Sequence, residues 1–177
     1  GYWKDAGIML KGEAVWNLTV MFLHIWNALS PTDKDFDRFR PQACGGAGYG
    51  TDGYVQPYGD SPLDFENVGE TVYLNIINSA KDYVYIFTPY LISDSETISS
   101  LCLAAKRGVD VRIVTPHIPD KKYAFMLTQS YYEQLMDGGV KIFEFEPGFI
   151  HAKCFVSDDT VATVGTINLD YRSISAF

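Results

Sequence analysis

The chain has 177 residues, 47% of them hydrophobic, 15% aromatic and 20% charged, a length suited to one ordinary domain with its own core. That balance excludes disorder, a collagen-like repeat and a disulfide scaffold. Fourteen basic against twenty-two acidic side chains leave a net charge of −8, which disfavours nucleic acid as a partner held by bulk charge. Cys44, Cys102 and Cys154 are odd in number and widely spaced. They make no C-x-x-C pair or zinc set and read as reduced thiols. The opening GYWKDAG has no initiator methionine and no signal-peptide character, so it reads as the middle of a longer protein.

Ala14 to Leu29 is the most apolar stretch, interrupted by Asn17, Thr19, His24 and Asn27. It falls short of the ~20 apolar residues that span a bilayer. Val15, Leu18, Phe22, Ile25 and Leu29 recur at helical spacing, which predicts an amphipathic helix burying that face against protein. The alternative, a helix lying in a membrane interface, normally carries Lys and Arg on its polar face, and here they are missing. His24 within this helix reads as a satisfied core or boundary histidine.

Residues 30–62 read as a charged, glycine-rich break. Gly48 to Gly53 matches G-x-G-x-x-G in letters. The dinucleotide fingerprint needs a strand before it and a helix after it, and neither flank fits, so the segment reads as a loop. Beyond Leu63 the pattern becomes regular. A helix through Val68, Val72, Ile76 and Ala80 precedes the strand Tyr83 to Thr88. Ser93 and Glu96 have capping-box spacing and open a helix whose Ile98, Leu101, Cys102 and Ala105 share a face. Lys106 and Arg107 suit its C-terminal dipole and Gly108 its end. VDVRIV is the next strand, stopped at Pro116; a helix through Ala124, Leu127, Tyr131 and Leu135 then ends at Gly138 and Gly139. VKIFEF, FIHAKCFV and TVATVG read as three further strands. Helices alternating with strands, followed by a strand cluster, predict a mixed sheet flanked by helices.

Three histidines are present. His117 follows a strand between two prolines, a location that lines pockets in α/β folds. His151 stands two residues before Lys153 in an otherwise apolar strand, where both are expected on one face. Such a pair is costly unless each has a partner. An imidazole attacks phosphorus or moves a proton near neutral pH, and an ammonium holds phosphate oxygens. Gly165, Thr166 and Asn168 add a close backbone approach, a hydroxyl and an amide. Asp158 sits at a turn, where it stabilises the turn or holds Lys153 and its loop in place.

His151-x-Lys153-x4-Asp158-x6-Gly165-Thr166-x-Asn168 resembles the H-x-K-x4-D signature of the phospholipase D superfamily, with Thr166 where serine is also common. VQPYGDSPLD, INSAKDYVYIFTPYLISD, AAKRGVDVRIVTP, SYYEQLMDGGVKIFEFEPGFIHAK and INLDYRS resemble bacterial cardiolipin synthases, and the likeness runs from about Trp3 to the last residue. The resemblance implies a phospholipase D-like α/β fold, a mixed β-sheet flanked by helices on both faces, forming one half of a two-lobed protein. Residues 1–62 would be a helix and linker continuing from a first half that carries its own copy of the motif. Residues 63–177 would be the second catalytic domain, whose pattern continues past Phe177 to an Asn-x-Glu segment orienting the motif histidine.

The implied activity is phosphatidyl transfer between two phosphatidylglycerols, giving cardiolipin and glycerol through a phosphohistidine. His151, Lys153 and Asp158 would be catalytic, with His151 as general acid and base or, in the reverse assignment, as the nucleophile. Lys153, Thr166 and Asn168 would bind phosphate, and Tyr90 and His117 are candidate pocket walls. No metal or other cofactor is implied. The implied partners are an anionic phospholipid, the missing first half and, through segments outside this sequence, the bacterial cytoplasmic membrane; the piece itself would be soluble, and nucleic acid is not implied. Two alternatives differ in class. A one-motif phosphodiesterase or nuclease would dimerise around His151 and present a basic groove, which −8 disfavours. A noncatalytic binding module would carry a broken motif, whereas this one is intact.

Overall fold

A computed structural model of the chain describes residues 2–30, 35–40, 53–60 and 66–170. The segment around Gly48 and Cys44, expected from the sequence to be a loop, lies outside them. The chain divides into two compact units, Gly1–Gly7 with Asp60–Phe177, and Ile8–Gly59. Among the described residues no helix is long and apolar enough to cross a membrane.

The larger unit is built on a five-stranded mixed sheet in the order β5-β4-β2-β7-β8. Its strands are β2 (Tyr83–Phe87), β4 (Asp110–Pro116), β5 (Lys141–Phe145), β7 (Cys154–Ser157) and β8 (Val161–Val164). β2, β4 and β5 run parallel, while β7 and β8 run antiparallel. Alternation decides which side chains go inward. Val84, Ile86, Val111, Ile113 and Phe155 point to one face, and that face takes the helices. These are α2 (Val68–Ser79), α3 (Ser95–Lys106) and α5 (Tyr132–Asp137). They contribute Tyr73, Ile76, Ile77, Ile98, Leu101, Ala104 and Leu135 to one buried core. Each large aliphatic group buried there contributes roughly 1.5–3 kcal/mol relative to exposure. On the other face, Tyr85, Arg112 and Lys141 gather around Asp110, which accepts from all three at 3.0, 2.8 and 2.8 Å.

Local chemistry modifies several expectations. Asp94, not Ser93, caps α3, accepting from the Thr97 amide at 2.8 Å. The capping-box spacing misleads here because Ser93 is buried and donates instead to the Leu169 carbonyl. Gly108 and Gly139 do end helices, at φ of +97° and +95°, a region glycine enters without steric cost. Arg107 reaches from the end of α3 to the carbonyls of Ile77, Asn78 and Ala80 and satisfies the open C-terminus of α2. The helix expected through Ala124 and Leu135 divides at Tyr131 into α4 (Lys122–Ser130) and α5. FIHAKCFV likewise divides, into β6 (Phe149–Ile150) and β7, leaving residues 151–153 outside any strand.

In the smaller unit α1 (Ala14–Leu29) forms as expected, but the predicted buried face does not. Phe22 is 60% exposed, Ile25 66% and Leu29 86%, and Leu23 is the one buried residue of the helix. The contacts within this unit fall elsewhere on the helix: Arg40 lies over the Trp16 ring and Phe36 meets the His24 ring edge-on. His24 is thus an exposed histidine and not a core one.

Asp158 has a structural assignment. Both it and Asp159 take positive φ, 53° and 54°, in the turn between β7 and β8. Its carboxylate accepts from the backbone amides of Lys81, Asp82 and Tyr83 at 2.8, 3.0 and 2.9 Å, tying the turn to the start of β2. Those donors, with Tyr83 foremost, hold its carboxyl below the usual aspartate range. Asp158→Ala is therefore expected to lower the thermal midpoint at pH 7. The sign follows from the depressed folded-state value: this stability is full above the unfolded pKa of ~3.9 and is lost as pH falls through the folded value. Melting curves of both proteins from pH 7 to pH 3 check it, and the gap should close toward acid.

Candidate active site

The site begins with two short strands far apart in sequence. β1 (Trp3–Lys4) lies parallel to β6, with Trp3 opposite Phe149 and Lys4 opposite Ile150. The Phe149 amide donates to the Tyr2 carbonyl at 3.0 Å and the His151 amide to the Lys4 carbonyl at 2.8 Å. A side chain at Gly148 would collide with the Tyr2 backbone, so glycine permits this approach. The Trp3 ring packs edge-on to Phe149 and 5.3 Å from the His151 ring.

This pairing carries Asp5 to His151. Asp5 Oδ2 lies 2.9 Å from His151 Nδ1. The hydrogen bond from His151 is the main reason the Asp5 carboxyl sits below its ordinary value. An ionised carboxylate at Nδ1 favours the proton on that nitrogen and leaves Nε2 with its lone pair. Nothing in the sequence marks Asp5, an aspartate 146 positions upstream of His151 that directly follows a two-residue strand too short to show a period.

His151 and Lys153 do not share a strand face as expected, because residues 151–153 are not in a strand. His151 is half-buried, whereas Lys153 is 6% exposed and its Nζ donates to the His151 carbonyl. Burial pulls the Lys153 ammonium below the ordinary lysine value, opposed by the nearby carboxylates of Asp5 and Asp170. The two side chains are thus linked through backbone instead of by a common face. The Lys153 carbonyl accepts from the Gly165 amide at 3.2 Å, which sets the segment bearing Thr166 and Asn168 beside it. Thr166 is exposed and Asn168 half-buried. A Cβ at Gly165 would enter open space, so the protein's own packing does not require a glycine there.

The remaining candidates separate. Asp158 stands at the far end of β7, five extended residues or roughly 15 Å from Lys153, and holds the start of β2 instead of Lys153. His117 Nδ1 pairs with Glu144 Oε2 at 2.7 Å, and that partner raises its pKa. It is exposed and does not line the recess next to Phe149. Tyr90 does line that recess, with Pro89, Pro116, Asp120, Lys121 and Phe149. Its hydroxyl donates to Asp120 Oδ2 at 2.6 Å, and burial together with Asp120 pushes its pKa far up.

The fold defines an α/β domain of the phospholipase D type. Nuc from Salmonella typhimurium, described as a phospholipase D family member, superposes with a TM-score of 0.50 at 22% identity, over 60% of this chain and 68% of its own. Residues 73–176 match the family "Cardiolipin synthase, PLD-like domain", and the chain belongs to that family. Over 98% of its length it is 36% identical to a cardiolipin synthase of Alkalihalophilus pseudofirmus and 38% identical to one of Listeria welshimeri. A protein of Streptococcus mutans serotype c, described as uncharacterized, is 57% identical over 98% of the chain. The chain spans 34%, 36% and 37% of these three relatives, about a third of each.

Proposed function

We propose that the whole protein containing this chain transfers a phosphatidyl group from one phosphatidylglycerol to another, forming cardiolipin and releasing glycerol. The observation that carries the reading is the Asp5–His151 pair beside buried Lys153, in a chain of the cardiolipin synthase family. The chain supplies one half-site, and a second motif elsewhere in the protein supplies the other. The histidine of that motif attacks the donor phosphorus, so a P–N bond forms as the P–O bond to glycerol breaks. His151 enters this step with a proton on each ring nitrogen, Nδ1–H held by Asp5, and gives the Nε2 proton to the departing glycerol alkoxide, which leaves Nε2 with its lone pair. It then takes the proton from a hydroxyl of the second phosphatidylglycerol, whose oxygen displaces the phosphohistidine. Asp5 holds the ring through Nδ1 across both steps. Lys153 and Asn168 hold the phosphoryl oxygens on which charge develops, and fixed donors there lower the barrier more than mobile water would. Asp158 serves as scaffold.

By this reading the 177-residue chain alone turns over little or nothing, because groups acting as one unit lose most of their effect together. The test is phosphatidylglycerol vesicles with the whole protein and with the chain alone, reading cardiolipin and free glycerol. Cardiolipin and glycerol in equal amounts from the whole protein alone is the expected result. Phosphatidic acid without cardiolipin, cleavage of nucleic acid, or strong turnover by the monomeric chain overturns the reading.

A further inference from the structure

Asn168 sits in a stretch without regular structure, so a few pinned groups decide where its amide points. The carbonyl just before it, on Ile167, accepts from the Tyr73 hydroxyl at 2.7 Å. The amide just after it, on Leu169, donates to Thr88 Oγ1 at 3.2 Å. Both hydroxyls are buried and themselves rigidly held. Tyr73 is 2% exposed, with its ring stacked 4.1 Å from Phe155. Thr88 is 1% exposed, and its amide bonds Val114 at the end of the parallel sheet. The Thr88 hydroxyl is used twice, since it also donates to the Tyr90 carbonyl at 2.7 Å. One oxygen therefore ties the Asn168 segment to the backbone of the residue lining the recess next to Phe149.

We infer that Tyr73 and Thr88 are positioning residues that clamp Asn168 from both sides and aim its amide at a phosphoryl oxygen. The inference rests on the transfer reading for the role of Asn168. Removing either hydroxyl leaves a buried backbone group without its partner and frees one side of the segment. A displacement on the order of 1 Å at a positioning group costs up to about 100-fold in rate.

The experiment compares Thr88→Val, Thr88→Ser and Tyr73→Phe in the whole protein. It reads vanadate affinity by calorimetry and phosphatidylglycerol transfer by product analysis. Vanadate resembles the five-coordinate phosphorus and binds without turnover. Thr88→Val and Tyr73→Phe should bind vanadate about 10-fold more weakly, with kcat falling by about 10- to 100-fold and KM nearly unchanged. Thr88→Ser, which keeps the hydroxyl, should restore both. A merely destabilising change would lower the folded fraction and leave the affinity of the folded molecules as it was. Unchanged vanadate affinity in the folded variants overturns the clamp, and Tyr73→Phe decides alone if Thr88→Val fails to fold. A wild type that binds vanadate without making cardiolipin overturns the lipid reading and leaves the clamp standing. A wild type that binds no vanadate overturns the clamp with the phosphate role of Asn168.

Discussion

His151→Gln is expected to reduce cardiolipin formation by the whole protein about 10³-fold or more, with little change in melting temperature. Glutamine retains polarity and hydrogen-bonding capacity but has no nitrogen that takes and returns a proton near neutral pH. General acid and base groups contribute about 10²–10⁴-fold, and by the proposed mechanism one ring serves both half-reactions. The fold loses little, because His151 is half-buried and its side-chain bond goes to an exposed partner, Asp5. Surface pairs of this kind contribute about 0–1 kcal/mol. The measurement is product formation beside a thermal melt and vesicle binding. A variant within about tenfold of the wild type would place the chemistry elsewhere. Loss of vesicle binding together with turnover would make His151 part of lipid capture.

The second large effect is expected at Asp5. Asp5→Asn keeps size and shape but offers an amide where Nδ1 met a carboxylate. An amide N–H directed at Nδ1 favours the tautomer with the proton on Nε2, the wrong nitrogen for accepting one from the incoming alcohol. A loss of about 10²-fold in kcat is expected, less than for His151 because the ring itself remains. KM for phosphatidylglycerol should stay close to its wild-type value, since Asp5 acts through the imidazole it bonds. The Asp5 carboxyl is held below its ordinary value by the bond from His151. Wild-type activity should then show no limb from this group above about pH 4. An Asp5→Asn enzyme with normal kcat would show that the ring needs no carboxylate partner.

What could be read in the residues followed from their local chemistry. The mixed sheet was legible because Val84, Ile86, Val111 and Ile113 alternate with polar or exposed neighbours, and β-pairing obeys that period. Gly108 and Gly139 marked helix ends because their backbone angles are those glycine alone adopts cheaply. Period alone misled at residues 149–156. Eight residues that look like one strand are two, because β6 pairs with β1 whereas β7 pairs with β2 and β8. The partner changes between them, and His151 and Lys153 fall in the gap. The apolar spacing of α1 predicted a helix correctly but not what covers it, since amphipathicity states that a face is apolar and names no partner.

The sequence alone carries the motif of His151, Lys153, Gly165, Thr166 and Asn168, whose resemblance to the family implies the chemical class proposed for the site. Spacing carries that information because those side chains stand on neighbouring turns and strands of one continuous stretch. The tertiary structure decided which groups serve those residues. Asp5 reaches His151 across 146 positions through a pairing of two residues each, and Tyr73 and Thr88 reach Ile167 and Leu169, on either side of Asn168, across 94 and 81. It also gave the Asp158 carboxylate three backbone amides to hold at the other end of β7. Contacts of that range leave no period and no fixed spacing, because the separation of two residues in space is set by how the strands order and not by how far apart they are numbered.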